Sequence, residues 1–220
     1  MDLLVIDFEM CEVDKNLYSK AGVYLDHEII QIGACILNSK NKITEEYSAY
    51  VKPHYGQITP FITELTGILE MDVEKAPELP KALRKFCERL RGKEVIPCSW
   101  SDTDLTQLSF EMEQKKIQNA EIQGMLDNWV DIQKSYDELV HSPRSTALER
   151  AMKAEGVRPE GRQHDGCADA HNTALLIAEL RKQKKELSLE PVNQSVEYTD
   201  TADEEEETAF GSIFAKMFEK

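Results

Sequence analysis

The sequence predicts an α/β domain in which helices flank a mixed β-sheet of five strands. Three strand-like apolar runs come first, between residues 3 and 52, and helical and strand-like patterns then alternate to about residue 186. The chain has 220 residues, enough for one sizeable domain and too few for a comparable second one. We therefore expect one core, followed by an acidic C-terminal tail.

The first three strands are predicted to pair as an antiparallel meander. Residues 3–10 form an apolar run that ends in polar positions, and residues 28–37 are almost entirely apolar. Residues 43–52 alternate more loosely and stop before Pro53. Because the connections between these runs are short, neighbouring strands are expected to run in opposite directions.

Helices and further strands are predicted after the meander. Residues 60–69 and 79–91 have helical patterns, and the second pattern begins beside Pro80 and stops at Gly92. Residues 95–100 resemble a buried strand. The remaining predicted elements are a strand at 129–133 and helices at about 103–116, from about 134, at 145–155 and at 167–186.

The charge of the chain is unevenly distributed. Residues 186–207 contribute −9 and residues 208–220 contribute +1, so residues 1–185 carry −7 of the formal total of −15. An acidic body argues against a protein that coats duplex nucleic acid through a broad basic face. An enzyme that holds only a few nucleotides is still compatible with this charge, because bound divalent cations add positive charge locally.

The cysteines and the N-terminus predict a cytoplasmic protein without a membrane segment. The five cysteines include no Cys-x-x-Cys pair, which argues against a disulfide framework and a zinc site and favours small buried side chains. Met1 leads directly into a strand pattern, without the basic and long apolar regions of an export signal.

Two carboxylates occupy one face of the first predicted strand. Leu3, Val5, Asp7 and Glu9 alternate with an apolar face, and residues two apart on a strand point the same way. Like charges on a buried strand are costly unless a cation lies between them, and hard divalent metals prefer oxygen ligands. The alternative is that Asp7 and Glu9 mark the point where the strand reaches solvent.

A histidine and an aspartate accompany the start of the last predicted helix. Asp169 begins an apolar stripe of that helix, where the helix dipole favours negative charge. His164 lies about one turn earlier, and Gly166 gives the backbone room to bring the two side chains together. Alternatively, Asp165 or Asp169 only caps the helix and His164 is a surface loop residue.

A further candidate carboxylate follows the strand at residues 95–100. Asp104 precedes Leu105 and Leu108, which places it in the first turn of an apolar-faced helix. Asp102 is the competing residue. We favour Asp104 because of its spacing from the helix start, and Asp102 would then cap the helix.

Together these residues resemble the four acids and the histidine of the DEDDh (DnaQ-like) 3′-to-5′ exonucleases. The chain is most similar to the branch of ERI-like enzymes and bacterial sporulation-inhibitor relatives. The resemblance covers residues 1–182, in the family's order, and implies a ribonuclease H-like fold. It also includes segments 28–34, 50–53 and 65–68 and Trp100, which lies four residues before Asp104.

The resemblance implies a two-metal phosphodiesterase. Asp7, Glu9 and Asp169 would hold one Mg²⁺ or Mn²⁺ ion, Asp7 and Asp104 would hold a second, and His164 would be the general base. The substrates would be 3′ ends of single-stranded RNA or DNA, with RNA favoured, and the products nucleoside 5′-monophosphates. The alternative is a binding or regulatory module that keeps the fold with little turnover.

The resemblance also suggests residues that hold the terminal nucleotide. These are Met10, Leu65 and Thr66, although ordinary core packing would equally explain Leu65. Many relatives have threonine two residues past the glutamate, and this chain has Cys11 there. A hydroxyl contact to the 3′ end is therefore expected to be lost or replaced by backbone.

The domain boundary is predicted after residue 185. Residues 186–207 are expected to form an acidic flexible linker, since they contain few large apolar residues. Residues 208–220 are expected to form a short amphipathic helix that docks in a partner protein's groove, packs on its own domain or stays disordered. Its apolar stripe consists of Phe210, Ile213, Phe214, Met217 and Phe218.

Overall fold

A computed structural model of the chain describes residues 1–14 and 24–192. Its strands are β1 (Asp2–Glu12), β2 (His27–Leu37), β3 (Ile43–Tyr50), β4 (Val95–Ser99) and β5 (Val130–Asp131). They form one sheet in the order β3-β2-β1-β4-β5, in which β1, β2 and β3 pair antiparallel, while β4 runs parallel to β1 and β5 parallel to β4. The predicted meander and mixed five-stranded sheet are confirmed.

Helices cover both faces of this sheet. The helices are α1 (Pro60–Thr66), α2 (Glu70–Glu74), α3 (Leu79–Leu90), α4 (Thr103–Gln114), α5 (Ala120–Leu126), α6 (Ile132–Val140), α7 (Leu148–Ala154) and α8 (Gly166–Lys182). One apolar cluster lies between the sheet and α3, α4 and α5, and a second lies between the sheet and α6, α7 and α8. None of the helices in the described residues is long and apolar enough to span a membrane.

The apolar residues predicted to alternate between the two faces of β1 pack into different clusters. Leu4 and Phe8 of β1 belong to the cluster under α3, α4 and α5, whereas Leu3 and Val5 belong to the cluster under α8. β2 is buried along almost its whole length because it lies between two strands and is covered by helices on both faces. β1 is likewise central, so carboxylates on it are held in a largely buried setting.

Several predicted boundaries were wrong. The strand predicted at 129–133 consists of Val130–Asp131 alone, because the Asp131 carboxylate accepts a hydrogen bond from Lys134 N at 2.9 Å and α6 begins immediately. Two short helices, α2 and α5, were not predicted. The last two predicted helices are Leu148–Ala154 and Gly166–Lys182, shorter at one or both ends than expected.

The start of α8 lies directly on the sheet beside Asp7. Gly33 of β2 pairs with Asp7 of β1, and a Cβ atom added at Gly33 would lie 2.0 Å from the carbonyl carbon of Gly166. A Cβ added at Gly166 would lie 2.8 Å from the Asp7 carbonyl oxygen. Only glycines permit this approach, which brings the α8 N-terminus to the same part of the sheet as the β1 carboxylates.

A buried ionic network joins α4 to β2. Glu111 of α4 accepts a hydrogen bond from Ile29 N at 2.9 Å, and Lys115 lies 2.6 Å from Glu111 and also contacts Glu28. Glu28 and Glu111 are fully buried, and Glu28 also accepts a hydrogen bond from Tyr55 N at 2.6 Å. The network thus fixes α4, whose first turn carries Asp104, against the middle of the sheet.

The described chain continues past residue 185. Leu187 and Leu189 pack against the cluster under α8, and Val192 N donates a hydrogen bond to Trp129 O at 2.8 Å. The predicted domain boundary stays a prediction, and most of the predicted linker and all of segment 208–220 lie outside the described residues.

The cysteines are free thiols, and burial separates them into two groups. Cys167, in the first turn of α8, is half-buried, whereas the other four are buried. The four buried thiols agree with the prediction that the cysteines pack as small hydrophobes, whereas half-buried Cys167 does not.

Candidate active site

Asp7 and Glu9 project from the same face of β1. Asp7 is half-buried and Glu9 is 7% exposed. The pairing of β1 with β2 is irregular between Glu9 and Met10. Such irregularities twist a strand and redirect the side chains beside it.

Asp104 lies against the same strand. Its Oδ1 accepts a hydrogen bond from Phe8 N at 2.8 Å, so the carboxylate sits beside the segment between Asp7 and Glu9. Asp104 is 6% exposed. Asp102 precedes α4, is exposed and makes no side-chain capping hydrogen bond, so the structure brings Asp104 to the β1 carboxylates.

The N-terminus of α8 adds a carboxylate and an imidazole. Ligand atoms of Glu9, His164 and Asp169 all lie within 4.8 Å of one another. His164 N donates to Asp169 Oδ2 at 2.8 Å, whereas Asp165 caps α8 by accepting from Ala168 N at 3.0 Å. Capping therefore falls to Asp165, and Asp169 is available to the cluster.

His164 adopts an uncommon backbone conformation. Its φ is 59°, in the left-handed region that residues other than glycine seldom occupy. Such conformations are retained where surrounding structure fixes them, and they concentrate at functional sites. Here the hydrogen bond from His164 N to Asp169 accompanies the turn that brings the imidazole to the carboxylates.

Burial and mutual repulsion raise the pKa values of these carboxyl groups. Burial, followed by the charge of Asp169, raises the pKa of Glu9 to about 8. Burial raises the pKa of Asp104 to about 7 and that of Asp169 to about 6. Burial, Asp104 and Glu9 raise the pKa of Asp7 well above its ordinary value. A divalent cation among these groups would favour their ionised forms.

Two basic side chains, His164 and Arg162, also contribute to the electrostatics of this cluster. Burial, reinforced by the positive charge of Arg162, lowers the pKa of His164 and favours the neutral ring that can accept a proton. Arg162 also acts on Glu9, whose pKa it lowers in opposition to the burial effect. The guanidinium therefore lies within electrostatic range of both residues.

The donor set suits a hard divalent cation. Carboxylate oxygens dominate it, and oxygen is the ligand that Mg²⁺ and Mn²⁺ prefer. Glu9 and Asp169 are placed to share such an ion, and His164 is close enough to contribute a nitrogen or to take up a proton. Asp7 and Asp104 lie outside this group of three but within electrostatic range of it, and they stay predicted metal ligands.

The residues suggested for the terminal nucleotide differ in accessibility. Met10 and Leu65 are half-buried, whereas Thr66 is 3% exposed and its hydroxyl donates to Ile62 O at 2.8 Å. Cys11 is completely buried in the small cluster beneath α1, so its side chain offers no surface to a 3′ hydroxyl. Met10, Leu65 and Thr66 stay predictions as nucleotide ligands.

Sequence reasoning missed residues that support the cluster. Gln31 Oε1 accepts from Gly166 N at 3.1 Å, and Gln31 Nε2 donates to Ser48 Oγ at 3.1 Å, which ties the start of α8 to β2 and β3. A polar residue within the otherwise apolar run of β2 was the available signal. Arg162 had no periodic or motif signal.

A comparison with protein families gives one match that covers most of the chain. The model named RNase_T, described as "Exonuclease", matches residues 4–177. This span includes all five predicted catalytic residues.

Individual relatives and solved structures agree with that match. "ERI1 exoribonuclease 2" of Xenopus laevis is 30% identical to this chain, in an alignment that covers 90% of this chain and 31% of the relative. "3′-5′ exoribonuclease 1" of Rattus norvegicus is 28% identical, covering 85% of this chain and 55% of the relative. This chain thus spans between about a third and a half of these relatives' lengths.

The fold has a solved counterpart. The nuclease domain of 3′hExo, described as a DEDDh family member bound to rAMP, has a TM-score of 0.73 and 25% sequence identity to this chain. The match covers 85% of this chain and 94% of that domain. The mixed sheet flanked by helices is therefore the DEDDh, ribonuclease H-like fold.

Proposed function

The chain belongs to the RNase_T exonuclease family, whose DEDDh members use divalent metal ions, and we propose that it removes nucleotides one at a time from the 3′ end of single-stranded RNA. The observation that supports this most strongly is the convergence of Glu9, His164 and Asp169 within 4.8 Å, beside Asp7 and Asp104. Three distant parts of the chain contribute to this cluster.

The four carboxylates are proposed to hold two Mg²⁺ or Mn²⁺ ions. Asp7, Glu9 and Asp169 would contribute to one position, and Asp7 with Asp104 to the other. Bound ions would supply Lewis acidity toward the phosphate and neutralise charge that develops on its oxygens. The raised pKa values of these groups support the proposal, because such a cluster gains stability from a cation.

His164 is proposed as the general base. Its imidazole would accept a proton from water as the water oxygen bonds to phosphorus and the bond from phosphorus to the 3′ oxygen breaks. The products are a nucleoside 5′-monophosphate and a strand shortened by one nucleotide. A lowered pKa keeps the ring neutral, the form this role requires.

The preference for RNA rests on the relatives. Those compared above are named exoribonucleases, and the matching nuclease domain binds rAMP. DNA is the alternative substrate, and the two are distinguished by the experiment below.

The test is digestion of matched RNA and DNA oligomers, labelled at the 5′ end, with Mg²⁺ or Mn²⁺ supplied separately. We expect a ladder of products shortened from the 3′ end and release of 5′-monophosphates, both abolished by Asp7→Ala. Asp127→Ala, an exposed change at the end of α5, is the control. Metal binding without mononucleotide release from any strand would instead support the binding module.

Segment 208–220 is proposed to dock in a partner protein. Its apolar stripe follows an acidic stretch that would tether it. Deleting residues 208–220 should remove co-purifying proteins without lowering the melting temperature. An unchanged set of co-purifying proteins would contradict docking.

A further inference from the structure

Arg162 binds the end of a helix nearly a hundred residues away in the sequence. Its Nη2 donates to Glu64 O at 2.6 Å and to Leu65 O at 3.4 Å. Both carbonyls belong to the last turn of α1, where helical carbonyl groups have no partner within the helix. A cation also interacts favourably with the negative end of the helix dipole, so the guanidinium closes α1 from outside.

Gly67 provides the space for this guanidinium. It ends α1 with a φ of 80°, in the left-handed region that favours glycine. A Cβ atom at Gly67 would lie 2.2 Å from Arg162 Nη1, so any side chain there would collide with the guanidinium. Glycine is thus needed twice at this position, once for the backbone and once for the contact.

The other end of this contact is a firmly held loop. Arg162 lies two residues before His164, whose N–H is bound to Asp169, and Asp165 caps α8. By contrast α1 has only seven residues, too few to be stable alone, and Ile62 and Thr66 are its buried residues. Of the two partners, α1 depends more on the contact.

We propose that Arg162 is a positioning residue that fastens the last turn of α1, with Leu65, to the loop that carries His164. The proposal rests on the proposed function, in which His164 is the general base, and on the prediction that Leu65 contacts the terminal nucleotide. Arg162 would set the distance between the group that holds the 3′ nucleotide and the groups that cleave it.

The first test does not depend on activity. Amide hydrogen exchange of residues 62–68 is compared in wild type and Arg162→Ala, with Arg158→Ala as the control because Arg158 is an exposed arginine of the same loop. We expect exchange at least about tenfold faster in Arg162→Ala alone. Unchanged exchange would overturn the proposal, whether or not the protein cleaves RNA.

The second test uses steady-state cleavage of a short labelled RNA. Arg162→Ala should lower kcat/KM by about 100-fold, mostly through KM, and Arg162→Lys should restore only part of it, because an ammonium group can donate to the α1 carbonyls but cannot fill the space of the guanidinium beside Gly67. The Mg²⁺ concentration for half-maximal rate should change far less than KM, since all four carboxylates are intact and the guanidinium acts on Glu9 only through its charge. A rise in the Mg²⁺ requirement as large as the rise in KM, or full rescue by lysine, would overturn the positioning role.

A double-mutant cycle isolates the contact itself. Gly67→Ala places a methyl group against the guanidinium. Gly92→Ala creates similar strain, at a φ of 78°, but among the described residues only its own chain neighbours lie within 4 Å of the added Cβ. In wild type, Gly67→Ala should lower the melting temperature more than Gly92→Ala does, and in Arg162→Ala the two changes should lower it by similar amounts. If Gly67→Ala lowers the melting temperature more than Gly92→Ala by the same margin with and without Arg162, the clash with the guanidinium is contradicted.

The two proposals fail in different ways. If wild type releases no mononucleotide, the proposed function fails, while amide exchange and the cycle still decide the role of Arg162 in holding α1. If wild type is active and both Arg162 variants match it, only the positioning role fails.

Discussion

Asp7 lies where the requirements of stability and of the proposed metal binding conflict. It sits on a central strand, and the nearby carboxylates Asp104, Glu9 and Asp169 raise its pKa further after burial has done so. Without a cation the folded chain therefore concentrates like charges that the unfolded chain disperses. This is the pattern expected where binding chemistry is maintained at a cost in stability.

Asp7→Asn should separate these two effects. The amide keeps the shape and removes one charge, so the metal-free protein should be more stable by about 1 kcal/mol. Cleavage should fall by at least about 100-fold. Urea unfolding in EDTA and the RNA assay measure the two quantities. Loss of both stability and activity would argue that Asp7 has a packing role.

Asp104→Asn and Asp102→Asn form a matched pair two residues apart. The asparagine oxygen at position 104 can still accept from Phe8 N, so we expect intact folding with at least about 100-fold less activity. Asp102 is exposed, and its substitution should change the rate by no more than about twofold. Equal losses in both variants would contradict the assignment.

Much of the candidate site could be predicted because its residues interrupt apolar patterns. Asp7 and Glu9 are acids at the end of an otherwise apolar strand, and Asp169 heads an inward-facing stripe. Gln31 and Arg162 could not be assigned roles, because their contacts join positions 135 and 98 residues apart and no local pattern encodes such pairing. Thr66 matched a motif, yet its hydroxyl is engaged within α1.

At the scale of secondary-structure elements, the contact between β2 and α8 positions His164 and Asp169 of the candidate site. Gly33 and Gly166 allow backbone to pack on backbone, and Gln31 binds the first N–H of α8. Any side chain between them would lift the α8 N-terminus, together with His164 and Asp169, away from Asp7.

Gly33→Ala should therefore destabilise the fold by about 3 kcal/mol and greatly reduce activity, since its methyl group has no space beside Gly166. Gly124→Ala is the control, because that glycine lies within α5 and no described residue outside this helix has an atom within 4 Å of an added Cβ. Alanine there should stabilise by roughly 1 kcal/mol. Chemical denaturation of both variants makes the comparison, and equal stability would contradict the packing argument.

Long periodic elements were predictable, and short ones were not. β1, β2, β3 and α3 have sustained apolar patterns, and the structure reproduces each within about two residues. α2 and α5 have five and seven residues, too few for a periodicity to be recognised. The two-residue β5 ends because Asp131 caps the following helix, a local hydrogen bond that outweighs the apolar run.

At the scale of the whole molecule, the pH dependence of stability depends on two buried glutamates, Glu28 and Glu9, whose pKa values shift in opposite directions on folding. Lys115 and the hydrogen bonds from Lys115 and Gly56 outweigh burial and lower the pKa of Glu28. Its stabilising contribution is present above its ordinary pKa of 4.5 and is lost as pH falls through the lower folded value. Glu9 behaves in the opposite way, because its folded pKa is raised to about 8.

The raised pKa of Glu9 determines how the stability of the folded chain changes above pH 4.5. Between its ordinary pKa of 4.5 and about 8, the folded state holds more protons than the unfolded state, so stability falls as pH rises. In EDTA the melting temperature should be highest near pH 5 and fall toward pH 8. Mg²⁺ or Mn²⁺ should reduce this fall in wild type and much less in Asp7→Asn. Scanning calorimetry across pH, with and without metal, is the measurement, and a metal effect equal in both proteins would contradict binding at the cluster.

The enclosure of the thiols makes selective chemical labelling practical. Burial raises the pKa of all five thiols, so accessibility is what separates them: the side chains of Cys11, Cys35, Cys87 and Cys98 are buried, whereas Cys167 is partly open. A maleimide dye should attach to the native protein at Cys167 alone, three residues from His164, without prior removal of other cysteines. If the proposed function holds, the fluorescence of the dye would change when a nucleic acid strand binds beside His164.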